Sequence, residues 1–240
     1  MTQEKTNSVL ISGKTATGKS ASLEGLKKPK GVLYLNCENK RLPFKHEFKN
    51  KSIADPYQID TAFDWAETKP DIHTITIDTI TFMMDMLETM YVINAVDTQK
   101  MWGEYAQFFK RLMFEKVAAS TKNIIFMAHT DEIVNKAEMT SEIGVKVKGS
   151  LMARGIESFF ATVVSTKRVS TKSLKDFKSP LLTITPDEEL DGFKYVFQTR
   201  LTKATVDERI RGPVGMWARN ETFIDNNAQL IVNRLHEFYK

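Results

Sequence analysis

The sequence predicts an α/β fold: a mostly parallel, twisted sheet with helices on both faces. Three observations predict it. Near-continuous apolar runs recur along the chain with helical stretches between them, as in strands buried on both faces. The octet Gly13-Lys14-Thr15-Ala16-Thr17-Gly18-Lys19-Ser20 lies between a strand-prone run and a helix-capable one. The chain has 240 residues, 42% of them hydrophobic, which suffices for the core of one large domain.

The elements follow in order. Ser8-Val9-Leu10-Ile11 is the first strand, and Ala21 to Leu26 can continue as a helix. Further strands are expected at 31–36, 72–78, 123–128, 159–165 and 193–199, where β-branched and aromatic residues cluster. Between them, Trp102, Tyr105, Phe108, Phe109, Leu112 and Val117 recur near the helical period, predicting a helix over 101–120. The cluster Lys40, Arg41, Lys45, His46, Lys49 and Lys51 is dense enough to be a nucleic-acid contact, though each residue taken singly reads as part of a solvated helix face. Residues 168–192 hold Lys172, Lys175, Lys178, Pro180, Pro186 and the acidic Asp187-Glu188-Glu189, which predicts an exposed hairpin or loop. Residues 225–240 read as a terminal helix with Leu230, Ile231, Leu235 and Phe238 on one side. No internal repeat or low-complexity tract interrupts this pattern.

Composition narrows the classes. No apolar run has transmembrane length, and residues 1–7 contain no apolar signal core, so no membrane partner is expected. The single cysteine, Cys37, forms no internal disulfide, and the expected compartment is a reducing cytoplasm. Histidines 46, 73, 129 and 236 lack ligand spacing with cysteine, which argues against a structural zinc. A formal net charge of +4 permits nucleic-acid binding without requiring it.

The octet matches G-x-x-x-x-G-K-[ST], the phosphate-binding P-loop, in the strand–loop–helix setting that supports it. The chemistry needs these residue types. Gly13 and Gly18 let the backbone approach phosphate, and successive N–H groups of Lys14, Thr15, Ala16 and Thr17 can face the anion. Lys19 supplies a cation to the β- and γ-phosphates, and Ser20 offers its hydroxyl to Mg²⁺. ATP with Mg²⁺ is the expected cofactor pair.

Three strand ends add to the loop. Asp78 closes Ile75-Thr76-Ile77-Asp78, where a carboxylate can hold Mg²⁺; standing alone, such an aspartate equally caps the next helix. The following residue is Thr79 rather than glutamate, so a water-activating carboxylate must come from elsewhere. Glu38, after the strand ending Asn36-Cys37, is the candidate, against an ordinary surface glutamate. His129 follows Ile124 to Ala128 and would reach the γ-phosphate as a sensor, against a buried, satisfied histidine.

A P-loop, a strand-end glutamate in Asn36-Cys37-Glu38, an aspartate without a following glutamate and a polar residue ending the next strand resemble, in that order, the RecA-type P-loop NTPase core. The family's polar sensor is often glutamine, so His129 is a variation. The His129-Thr130 pair and the segment Arg200-Leu201-Thr202-Lys203, Arg209-Ile210-Arg211-Gly212-Pro213 and Gly215-Met216 are similar to the small phage-encoded RecA-like ATPases grouped with single-strand annealing proteins (the Sak group). The resemblance spans about residues 7–217 and implies one RecA-like ATPase domain over 1–240.

The resemblance implies several expectations. ATP binds between subunits of a ring or filament, and a neighbour's basic residue completes the site; Lys203, Arg209 and Arg211 are the candidates. Two loops, about 92–101 and 132–150, track single-stranded DNA, with Lys136, Lys146, Lys148 and Arg154 as contacts, diluted by Glu138 and Glu142. The expected partners are single-stranded DNA, further copies of the chain and a single-strand-binding protein, in the host cytoplasm of a phage-encoded product. The leading expectation is therefore an ATP-dependent recombinase or annealing protein. A RecA-core ATPase directed at protein, as a regulatory or replication accessory factor, is the alternative. A nucleotide kinase is disfavoured because no arginine-rich lid accompanies the strand-end glutamate.

Overall fold

The computed structural model describes residues 8–135 and 139–240. Its strands are β1 Ser8–Gly13, β2 Val32–Asn36, β3 Lys49–Ser52, β4 Thr74–Asp78, β5 Asn123–Asn135, β6 Thr140–Val145, β7 Thr162–Ser170, β8 Phe193–Gln198 and β9 Phe223–Asp225. Its α-helices are α1 Gln58–Glu67, α2 Ile80–Leu87, α3 Thr98–Arg111, α4 Gly149–Arg154, α5 Thr171–Leu174, α6 Pro186–Asp191 and α7 Ala228–Phe238. The sheet order is β3-β2-β4-β5-β1-β7-β8-β9, parallel from β3 through β7 and antiparallel at the β8 and β9 edge. The mostly parallel α/β prediction holds.

Side-chain alternation explains the two-faced burial. On β1, Leu10 packs into one core, while its neighbours Val9 and Ile11 pack into the other. On β5, Ile124 and Phe126 face the first core, and Ile125 and Met127 the second. A strand with both faces apolar is stable only between two layers. The first layer contains α1, α2 and α3 through Phe63, Met84 and Phe109; the second contains α7 and the turn after β1 through Ile231 and Leu23. Local signals fix the helix starts. Asp97 accepts from the backbone N–H of Lys100 at 2.9 Å and starts α3, which runs on through a π-helical turn at Leu112–Val117. The predicted 101–120 helix is this continuous rod.

Several local expectations are corrected. After the P-loop the chain forms a six-residue 3₁₀ helix, Ser20–Gly25, rather than an α-helix. Gly25 there lies against Asn227, where a Cβ would stand 2.2 Å from Oδ1, and Lys28 in the left-handed region then precedes Pro29. The basic stretch 40–51 is extended rather than helical. Leu42, Phe44 and Phe48 alternate onto the second core, Phe44 meets Phe48 edge-on at 5.9 Å, and the segment ends in β3. Segment 132–150 is largely a β-hairpin, because β5 continues past the sheet and pairs with β6 from Thr130↔Val145 to Asn135↔Thr140. Within 168–192, β7 extends to Ser170, and α5 and α6 follow. Thr185 and Glu188 form a reciprocal cap with Pro186 in the first turn of α6.

Candidate functional site

Parallel strands deliver their carboxyl ends to one edge of the sheet, and that is where the candidate residues meet. Gly13 on β1 is in register with His129 on β5, and Asn36 on β2 with Asp78 on β4. Because β5 lies between β4 and β1, His129 stands between the P-loop and Asp78's strand. The Cys37 N–H donates to the Asp78 carbonyl at 2.8 Å, which carries Glu38 over the same edge. A cleft of about 530 Å³ results, lined by Thr15, Lys19, Ser20, Glu38, Asp78 and His129 among others.

The P-loop is tightly built. A Cβ at Gly13 would stand 2.2 Å from Thr166 Oγ1, and one at Gly18, with φ +94°, 2.7 Å from Asn226 Nδ2, so both positions demand glycine. The Thr17 hydroxyl donates to the Lys14 carbonyl at 2.7 Å, and Lys14, Thr15 and Ala16 are exposed at the loop's crest. Lys19 is buried, and its ammonium donates to the carbonyls of Gly13 and Lys14 at 2.9 and 2.8 Å. Burial lowers its pKa to about 8, against the pull of the Asp78 and Glu38 carboxylates.

Asp78 Oδ2 accepts from Ser20 Oγ at 2.7 Å and from the Tyr34 hydroxyl at 2.8 Å. Its Oδ1 is buried and has no hydrogen-bond partner among the described residues. Burial pushes the Asp78 carboxyl up, with Ser20 and Tyr34 pulling it back. Hard oxygen donors with an unused carboxylate oxygen fit Mg²⁺, so Ser20 and Asp78 are the residues that would hold it. Among the described residues no cluster of three or more His, Cys, Asp or Glu forms an alternative metal site.

Glu38 is the best-connected group in the cleft. His129 Nε2 donates to its Oε1 at 2.9 Å, Thr79 Oγ1 to the same oxygen at 3.3 Å, and Lys40 Nζ to Oε2 at 3.0 Å. Burial raises its pKa, but the hydrogen bonds from His129 and Lys40 and their charges outweigh that and hold the carboxyl at about 2. With Nε2 of His129 directed at the Glu38 carboxylate, its Nδ1 lies on the other side of the ring, 3.5 Å from the Thr15 hydroxyl. A chain of contacts thus runs from the P-loop crest through His129 to Glu38. Burial pushes the neighbouring Cys37 thiol up, so it is not a nucleophile at neutral pH.

The family model described as an AAA domain matches residues 5–200. The chain belongs to the AAA domain family. No curated protein matches the chain. Membership makes it a P-loop NTPase and supports nucleotide binding, with Mg²⁺ implied as the accompanying ion, and ATPase activity in general. No helix among the described residues is long and apolar enough to cross a membrane.

The AAA domain treats the remaining candidates unequally. Lys203 and Arg211 are exposed, whereas Arg209 is held within its own chain by Glu142 at 3.0 Å and buried Glu157 at 3.3 Å. None of the three lines the P-loop cleft. Lys146 is exposed just beyond β6, with its N–H donating to the His129 carbonyl at 2.8 Å, and Lys148 pairs with Glu88 at 2.6 Å. Arg154 does not join these lysines. Helix α4 carries the chain back to the opposite edge of the sheet, where Arg154 lines a hollow with Ser8 and Met113. Lys136 and Glu138 lie outside the described residues.

Other residues of the cleft carry weaker sequence signals. Tyr34, at a strand interior, reads as core; Lys40 and Arg41 read as surface charge; Tyr195 and Asn226 arrive from the antiparallel edge. Thr79, which supports Glu38 from beside the cleft, carries a readable cue, since a threonine after a strand commonly caps a helix; its Oγ1 accepts from the Phe82 N–H at 3.4 Å.

Proposed function

We propose that this AAA-domain ATPase is an ATP-dependent, single-stranded-DNA-binding recombinase or annealing protein of the RecA class, related to the Sak group. One observation carries the reading. Strand β5 reaches the nucleotide edge at His129, bonded to Glu38, and continues without a break into the β5–β6 hairpin. A single continuous strand therefore joins the place where a γ-phosphate would sit to an arm that can touch a polymer.

In this reading the P-loop amides and Lys19 hold the triphosphate. Mg²⁺, held by Ser20 and Asp78, supplies charge neutralisation on the phosphates when bound. Glu38, fully ionised at neutral pH, orients the attacking water by accepting its hydrogen bond. His129 reports the terminal phosphate through its contacts with Thr15 and Glu38. Lys203 or Arg211 of a neighbouring copy completes the site, Arg209 being paired in cis. Lys146 and Lys148 approach the DNA backbone from the base of the hairpin, and Lys136, outside the described residues, is a further candidate by sequence. A single-strand-binding protein is the expected accessory partner.

A second reading has its own support. The hairpin exposes Val134 and Met139 together with Asp131, Glu132 and Glu142, a surface better suited to protein than to phosphate. That favours an ATPase acting on a protein as a regulatory or replication factor. ATP turnover measured with and without single-stranded DNA, and DNA affinity titrated against salt, separates the two. Stimulated turnover and a steep salt slope support the recombinase. A flat response with no DNA binding refutes it in favour of the protein-directed ATPase.

A further inference from the structure

The P-loop cleft has an aromatic wall that the phosphate chemistry leaves unused. Tyr195 on β8 lines the cleft, 38% exposed, with a ring carbon 3.4 Å from the position a Gly18 Cβ would take. Its ring is braced from behind. Phe193, two residues earlier on the same strand face, meets it edge-to-face with centroids 5.7 Å apart at 90°. The Arg168 guanidinium covers Phe193 at 5.4 Å, and Arg168 is the register partner of Tyr195 on β7. The wall is also tied to the P-loop, because Asn226 Nδ2 donates to the Gly18 carbonyl at 2.8 Å. Asn226 lies beyond the span matched by the family model.

The lining of the cleft is chemically mixed. Glu38, Lys40 and His129 form a hydrogen-bonded polar cluster at the end suited to a terminal phosphate. Elsewhere the lining includes Ala21, Pro43 and, beside Gly18, Tyr195, which offer flat or apolar surface. A triphosphate anchored on residues 13–20 must send its remaining half somewhere, and a π-face accepts any flat heteroaromatic. We propose that Tyr195 is the platform on which the nucleobase of ATP stacks. It is a binding residue that holds the base while the P-loop holds the phosphates. The proposal rests on the reading of this cleft as the ATP site.

The test compares two probes that share the phosphates and differ in the base. Mg²⁺-ATP and Mg²⁺-tripolyphosphate are titrated calorimetrically onto the full chain, as wild type, Tyr195→Ala, Tyr195→Phe and Lys19→Ala. Tyr195→Ala should weaken ATP about tenfold or more and leave tripolyphosphate unchanged. Tyr195→Phe, which keeps the ring, should bind ATP within about twofold of wild type. Unchanged ATP affinity in Tyr195→Ala overturns the platform, as does equal weakening of both probes, which would mark a strut of the P-loop. ATP binding that survives Lys19→Ala undisturbed removes the cleft reading itself, and the platform with it. Binding that needs Lys19 but ignores Tyr195 removes the platform alone.

Discussion

Replacing Lys19 by methionine should destroy ATP binding and, without nucleotide, make the protein more stable. The side chain is buried, and burial takes its pKa from the ordinary 10.5 down to about 8. At ~1.4 kcal/mol per tenfold change in proton affinity, keeping it charged in the fold costs about 3 kcal/mol. Its hydrogen bonds to the Gly13 and Lys14 carbonyls return about 1 kcal/mol each. The net cost is then about 1 kcal/mol, or roughly 2–4 °C in a chain of this size. The sign with pH is fixed. The folded pKa lies below the unfolded one, so the cost is fully present below pH 8 and fades as pH rises from about 8 toward 10.5. Methionine keeps the volume and removes the charge. Scanning calorimetry of both proteins at pH 7 and pH 10, without nucleotide, reads the effect. The variant should melt higher at pH 7, and the gap should close at pH 10. A variant that melts lower at pH 7, or a gap indifferent to pH, would show that the buried ammonium is not strained and refute the reasoning.

The other predictions concern turnover. Glu38→Gln should keep ATP affinity and lose about 10²- to 10⁴-fold in kcat in a single-turnover assay; an unchanged kcat would move the water-orienting group elsewhere. His129→Ala removes the strongest group opposing the burial of Glu38, so its carboxyl should rise from about 2 toward the ordinary 4.5. The acid limb of kcat/KM should then move to higher pH, and an unmoved profile would separate His129 from Glu38. Lys203→Ala should lower kcat more than it raises KM for ATP. Mixed with Glu38→Gln it should recover part of the activity if subunits share a site, and a mixture no better than its components would argue for a site complete within one chain.

The sequence made the parallel part of the molecule legible for a physical reason. Glu38, Asp78 and His129 each follow an apolar run, and parallel strands end on one edge, so strand ends in sequence become neighbours in space. Tyr195 and Asn226 follow no such rule. They reach Gly18 through an antiparallel edge whose register depends on partners far along the chain, β8 pairing with β7 and β9. The stretch 40–51 misleads because its charges are denser than its apolar residues. The alternation of Leu42, Phe44 and Phe48, rather than the lysines, decides that it is extended. Arg209 shows the same limit from the other side. Its sequence neighbourhood is basic, but its partners Glu142 and Glu157 lie 67 and 52 positions away.

The tie between Asn226 and Gly18 spans 208 positions. During synthesis the P-loop leaves the ribosome well before the carboxamide that holds its Gly18 carbonyl and before Asn227, which packs against Gly25. A nascent chain therefore lacks a finished triphosphate cradle until Asn226 has been made. A fragment trimmed to the family-matched span would carry the whole signature octet with its rear support missing.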